Sequence, residues 1–213
     1  MQIDALKKEQ IELASKISTI DAVKKFRLFG GVDLAYADDK AVCAIVICDK
    51  GMNVIEAKTN SVEVKFPYMP GYLFYREGPA IIETYQLVEN KPDVLLCGFH
   101  GILHPRRIGA ASHLGLVLDM PTIGIAKTLF CGKLEGDRVV MDKEVRGIRL
   151  TTREHAKPVL VSPGHKISLK KAVEVVKSCL RPPHKLPEPL HLAHHEANSR
   201  RKAIMIPEKK NIG

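Results

Sequence analysis

Three runs decide the fold: FRLFGGVDLAY (26–36), AVCAIVICD (41–49) and NVIEAKTNSVEV (53–64). Each is rich in β-formers, and the breaks between them, ADDK and KGM, suit tight turns. A parallel crossover needs about a dozen residues, so connections this short make the three strands an antiparallel meander. Past Pro70-Gly71 the rhythm changes. YLFYREGPAIIETYQLVEN (72–90) reads as a helix that Pro79 either kinks or starts. DVLLCGF (93–99) reads as a buried strand, GAASHLGLVLD (109–119) as a helix and TIGIA (122–126) as a strand. Strand and helix alternating in this way add parallel strands to the sheet.

Outside that block the signals are plainer. Ile3, Leu6, Ile11, Leu13, Ala14 and Ile17 give residues 2–19 an apolar stripe at mostly helical spacing. Residues 135–152 read as a charged hairpin and PVLVS (158–162) as a strand. ISLKKAVEVVKSCL (167–180) is an amphipathic helix with Ser168 as its cap. RPPHKLPEP (181–189) is a proline-rich connector to a last helix, LHLAHHEANSRRKAI. With no internal repeat and no composition break, residues 1–213 form a single α/β domain: three antiparallel strands, then parallel ones, with helices on both faces.

Composition narrows the function. At 45% hydrophobic and 27% charged residues, the 213-residue chain can bury a sizeable core, which excludes the disordered class. Lys and Arg number 33 against 24 Asp and Glu, and a net charge of +9 suits an anionic partner such as nucleic acid. Aromatics are only 5% with no Trp, which argues against broad base-stacking platforms. Five cysteines without a C-x-x-C pair give a zinc site little support and fit a reducing, cytoplasmic setting. No apolar run reaches the roughly 20 residues of a membrane span.

A few residues could carry chemistry. Asp33 sits inside an apolar strand, where a carboxylate is costly unless it is paired, binds a metal or points to solvent. Glu77 alone would pass for a surface residue. In Pro67-Tyr68-Met69-Pro70-Gly71, two prolines stiffen a loop around two bulky side chains, either a wedge for stacked bases or a loop folded onto the core. Arg106 and Arg107, with Gly109 close by, could seat a phosphate, and Lys127 ends the strand at 122–126. His191, His194 and His195 crowd the last helix at i, i+3 and i+4 spacing, as a polar face or as metal ligands.

Together the blocks GVDLAY (31–36), PYMPGYLFYRE (67–77), HGILHPRR (100–107), ASHLG (111–115), DMPTIGIAK (119–127) and LAH (192–194) closely resemble the endonuclease V family. The resemblance runs from about residue 5 to residue 200. It implies a ribonuclease H-like fold and a metal-dependent nuclease, using Mg²⁺ or Mn²⁺, that acts on damaged DNA as a monomer. The nick falls at the second phosphodiester bond 3′ to deoxyinosine (hypoxanthine), and inosine in RNA is a further candidate substrate. Residue by residue, it implies Asp33 as the metal-bridging aspartate and Glu77 as the second carboxylate. His194 would be a helix-borne ligand or a group orienting the attacking water, and Lys127 would steady the scissile phosphate. His104 would be a backbone or active-site contact. Pro67, Tyr68, Met69 and Pro70 would be the strand-separating wedge, and Gly71, Leu73, Gly101 and Gly109 the pocket for the flipped base.

The chain departs from the family pattern at one metal ligand. The family carries an aspartate six residues before the histidine of its His-Pro-Arg block, and here that position is Gly98, followed by Phe99 in place of a glycine. A missing carboxylate implies weaker metal binding and slower cleavage. The alternative to an active enzyme is therefore a catalytically impaired homologue that still binds inosine-bearing nucleic acid.

Overall fold

The computed structural model describes residues 3–205. Helix α1 (Ile3–Ser15) leads into the expected meander, β1 (Phe29–Ala37), β2 (Lys40–Cys48) and β3 (Val54–Glu63). It continues through α2 (Leu73–Gln86), β4 (Val94–Cys97), α3 (Ala110–Leu118) and β5 (Thr122–Ala126). β6 (Lys133–Glu135), β7 (Arg138–Met141), β8 (Glu144–Leu150) and β9 (Val159–His165) follow, then α4 (Leu169–Ser178) and α5 (Glu188–Met205). One nine-stranded sheet has the order β3-β2-β1-β4-β5-β9-β8-β7-β6. β1 and β2 pair antiparallel, as do β2 and β3, whereas β4 lies parallel to β1 and β5 parallel to β4. This is the mixed α/β arrangement read from the sequence.

The strand period of two splits the core between the faces. Phe29, Val46, Leu96, Ile123 and Val161 bury themselves with α4 and α5. Val32, Ile45, Leu95 and Cys97 bury themselves with α2 and α3. Leu95 and Leu96 are neighbours on β4, both fully buried, and serve opposite layers. Burying a Leu side chain contributes about 2 kcal/mol, so the central strands carry much of the stability. Ser168 caps α4 as expected, its Oγ accepting the Lys171 N–H at 3.2 Å.

Three local expectations are corrected. Pro79 lies inside α2 and does not mark its start. The single hairpin expected at 135–152 is a three-stranded meander; β6 adds only three exposed residues, too few for an alternating pattern to register. On α1, Ile11 is exposed and Gln10 is buried instead. The turn of the helix places residue 10, between Leu6 and Leu13, on the inward stripe. Among the described residues no helix is long and apolar enough to cross a membrane.

Candidate active site at the ends of the parallel strands

The carboxyl ends of parallel strands leave a crevice where α/β sheets bind ligands. Here Asp33 in the middle of β1, Gly98 just beyond β4 and Lys127 just beyond β5 converge there. On β1, Phe29, Gly31 and Asp33 share the face that meets α5. Gly31 lets α5 come into backbone contact, because a Cβ there would collide with the main chain of Pro189 and Leu190. This close approach brings His194 of α5 to Asp33, with Nδ1 2.6 Å from Oδ2. The solvent-facing alternative for Asp33 is thereby excluded. Burial holds its carboxyl above the ordinary range, while His194 and the Lys127 charge pull the other way.

Glu77 arrives from α2, on the other face of the sheet. It is 6% exposed, its Oε1 accepts the Tyr36 hydroxyl at 2.7 Å, and its Oε2 is buried without a partner. Burial pushes its pKa up to about 7, the negative charge of Asp33 adds to the rise, and Tyr36 and Arg76 oppose it. A buried carboxylate with a spare oxygen is costly unless something positive meets it. Asp33 and Glu77 sense each other's charge, and both offer the oxygen donors that a hard divalent cation takes. The set is sparse: among the described residues no group of three or more His, Cys, Asp or Glu side chains converges to hold a metal.

Gly98 lies directly against Asp33. A Cβ built there would lie 2.7 Å from Asp33 Oδ1, so any side chain at this position would point at the Asp33 carboxylate. Asp93 and Asp119 are engaged elsewhere. Asp93 accepts the Leu28 N–H at 3.0 Å, and Asp119 pairs with Lys166 at 2.6 Å.

A cavity of about 360 Å³ opens beside these groups, lined by Asp33, Gly98, Phe99, His104, Gly109 and Lys127. Tyr68, Met69, Pro70, Gly71 and Leu73 close its other side. Tyr68 is 70% exposed, so the stiff loop projects outward rather than folding onto the core. Gly101 does not line the cavity. Its Cα faces the β9 backbone, where a Cβ would collide with the Pro163 carbonyl, and its N–H donates to Ser162 Oγ at 2.9 Å.

At the phosphate seat expected at Arg106 and Arg107, both guanidinium groups are engaged within the protein. Arg106 donates to the Gly71 carbonyl (2.8 Å) and to Gln10 Oε1 (2.6 Å), and Arg107 pairs with Glu144 through Nε and Nη2. The histidines of α5 do not act as a set. His194 turns to Asp33, His191 stacks on His184 with ring centroids 3.6 Å apart, and His195 is exposed. Sequence reasoning missed Gln10, although a lone amide on an apolar helical stripe was a visible signal, and it missed Tyr36, whose hydroxyl holds Glu77.

The endonuclease V family model matches residues 11–195. The chain belongs to the endonuclease V family. Endonuclease V of Dictyoglomus thermophilum is 41% identical over 195 residues, which cover 87% of this chain and 85% of that protein. Among solved structures, endonuclease V from Bacillus subtilis aligns with a TM-score of 0.89 at 31% identity, covering 96% of this chain and 94% of that one. The Ciona intestinalis endonuclease V, solved with a 24mer DNA containing an inosine followed by a ribo-adenosine, gives a TM-score of 0.87 at 29% identity, with 95% and 99% coverage. The endonuclease V likeness therefore spans the meander, the parallel strands and α5 together.

Proposed function

We propose that this chain is a metal-dependent endonuclease that recognises deoxyinosine in DNA and nicks the second phosphodiester bond on its 3′ side. One observation carries this reading: a single cavity is bounded by Asp33 and Lys127 on one side and by the projecting Tyr68-Met69 loop on the other. A rigid wedge opens the duplex where pairing is already weak, and the extruded base enters the cavity beside Asp33. The Ciona complex with inosine-containing DNA supports this substrate class.

The residues divide the work. Asp33 and Glu77 would hold Mg²⁺ or Mn²⁺, which when bound lowers the pKa of water and offsets charge on the phosphorane. Asp33 accepts from His194 Nδ1–H, and this leaves Nε2 as the basic nitrogen, able to take a proton from an attacking water. Lys127 contributes a compact positive charge at the cleft for the scissile phosphate. The deciding experiment is a nicking assay on deoxyinosine and normal duplexes, with Mg²⁺ and with Mn²⁺. Nicking 3′ to deoxyinosine that is lost in Asp33→Ala is the expected result, and no inosine-dependent cleavage at any concentration of either metal would overturn it.

The geometry at Gly98 favours a second reading. With no carboxylate at position 98, the protein would bind inosine-bearing nucleic acid and cut it poorly or not at all. Inosine-selective, salt-sensitive binding without nicking, together with cleavage gained in Gly98→Asp, would establish that reading instead. An inosine-containing RNA strand in the same assays separates DNA from RNA as substrate.

A further inference from the structure

Gln10 is the buried residue of α1, a helix otherwise exposed or half-exposed, and both ends of its amide are engaged. Nε2 donates to the Gly71 carbonyl at 3.0 Å, and Oε1 accepts from Arg106 Nε at 2.6 Å. Arg106 closes the triangle by donating from Nη2 to the same carbonyl at 2.8 Å, with its guanidinium 4.5 Å from the Tyr72 ring centroid. His104 adds a third donor. Its Nδ1 accepts the Arg106 N–H at 3.2 Å, so the proton rests on Nε2, which lies 3.2 Å from Gly71 O. Burial, then the Arg106 charge, push His104 down to about 3, which keeps this tautomer neutral.

Three donors thus converge on one carbonyl, at the residue where the wedge ends. Gly71 has φ +82°, and a Cβ there would stand 2.9 Å from Arg106 Nη2, so glycine suits both the backbone and the clasp. At the other end of the loop, Arg76 Nη1 donates to the Phe66 carbonyl at 2.7 Å. The loop is therefore pinned at both bases while Tyr68 at its tip is exposed.

We propose that Gln10 is a positioning residue for lesion recognition: with Arg106 it clasps the Gly71 carbonyl and holds the Pro67–Pro70 wedge rigid. The proposal rests on the inosine-recognition reading above. A wedge already fixed in place separates base pairs without a further ordering cost, whereas a loosened one spends part of its binding energy on its own immobilisation. Gln10→Ala leaves two donors on Gly71, so the loop forms but loses its side brace. Inosine selectivity then falls about tenfold, the factor that ~1.4 kcal/mol from one lost hydrogen bond carries.

The test compares wild type, Gln10→Ala, Gln10→Met and the exposed neighbour Ile11→Ala. Gln10→Met keeps the volume and the apolar stripe, so it reports on the clasp even where Gln10→Ala fails to fold. Binding of a deoxyinosine duplex and its normal counterpart is measured in EDTA, with 2-aminopurine fluorescence beside the lesion reporting base opening. Hydrogen exchange over residues 66–72 and the thermal midpoint are followed in parallel. The expected result is reduced selectivity and opening in both Gln10 variants, with faster exchange confined to 66–72 and Ile11→Ala unchanged. Wild-type preference retained in full by Gln10→Met, or slow exchange retained at 66–72, overturns the clasp alone. A wild type with no preference for inosine overturns the recognition reading itself, and the clasp proposal with it.

Discussion

His194 Nδ1 and Asp33 Oδ2 stand 2.6 Å apart across 161 residues of sequence. The contact consumes one Asp33 oxygen and fixes the tautomer of His194. Asp33→Asn keeps the shape and an oxygen that can accept the Nδ1–H but removes the charge, so nicking is expected to fall by about 10²–10⁴-fold. His194→Ala, which spares the carboxylate, should cost about 10²-fold or more. Single-turnover rates on a deoxyinosine duplex measure both.

Gly98→Asp places a second carboxylate against Asp33, and the 2.7 Å approach of a Cβ to Oδ1 means Asp33 must swing aside. Without metal the like charges repel, and the thermal midpoint should drop. Manganese should raise the midpoint of the variant by more than that of wild type, because the added ligand tightens binding to the folded state. Melting curves with EDTA and with a Mn²⁺ series give the comparison; equal shifts in the two proteins would mean that position 98 takes no part in binding metal.

Glu77 has the pH signature of a buried acid. Its folded pKa of about 7 lies above its ordinary value, so between about pH 4.5 and 7 the folded state holds a proton that the unfolded state has released. Stability from this group is full below that window and declines as pH rises through it, by at most about 3 kcal/mol in metal-free protein. Glu77→Gln should flatten that part of the profile. Urea denaturation at intervals from pH 4.5 to 8 checks the slope.

Tyr68 is exposed, so Tyr68→Ala should leave the thermal midpoint nearly unchanged, within about 0.5 kcal/mol of wild-type stability. Its effect belongs in lesion binding, with inosine selectivity down about tenfold as an unstacking side chain is lost. Paired titrations of modified and normal duplexes provide the measurement.

Lys127 lines the cleft, whereas Arg107 is paired with Glu144, and the two should respond differently to salt. Lys127→Ala should lower the slope of log K against log salt by about 1. Arg107→Ala, whose charge is already met by Glu144, should leave that slope where it was. A salt series at fixed DNA length distinguishes them.

The meander, the parallel additions and the helix faces were legible because each carries a local period or a turn too short for a crossover. The stiff loop at Pro67–Pro70 was legible because two prolines announce it, and its exposure decides between the two readings of it. What stayed hidden depends on partners far away in the chain. Arg106 and Arg107 look like free cations until Gly71, Gln10 and Glu144 are seen to engage them. Gly101 looks like a pocket residue until the β9 backbone fills the space beside it. Asp33 was ambiguous for the same reason, since only the docking of α5 decides whether a strand carboxylate faces water or an imidazole.

The backbone contact between Gly31 and the Pro189-Leu190 segment has a consequence for how such a protein is made. β1 leaves the ribosome well before α5, the last helix of the described residues. Domains are synthesised from the amino end, and contacts of such long sequence separation close late. The nascent chain can therefore build its first strands and the Pro67–Pro70 loop while Asp33 still lacks His194. Hydrolytic competence would arrive only when α5 docks, so a half-made chain bound to nucleic acid could grip its target without cutting it.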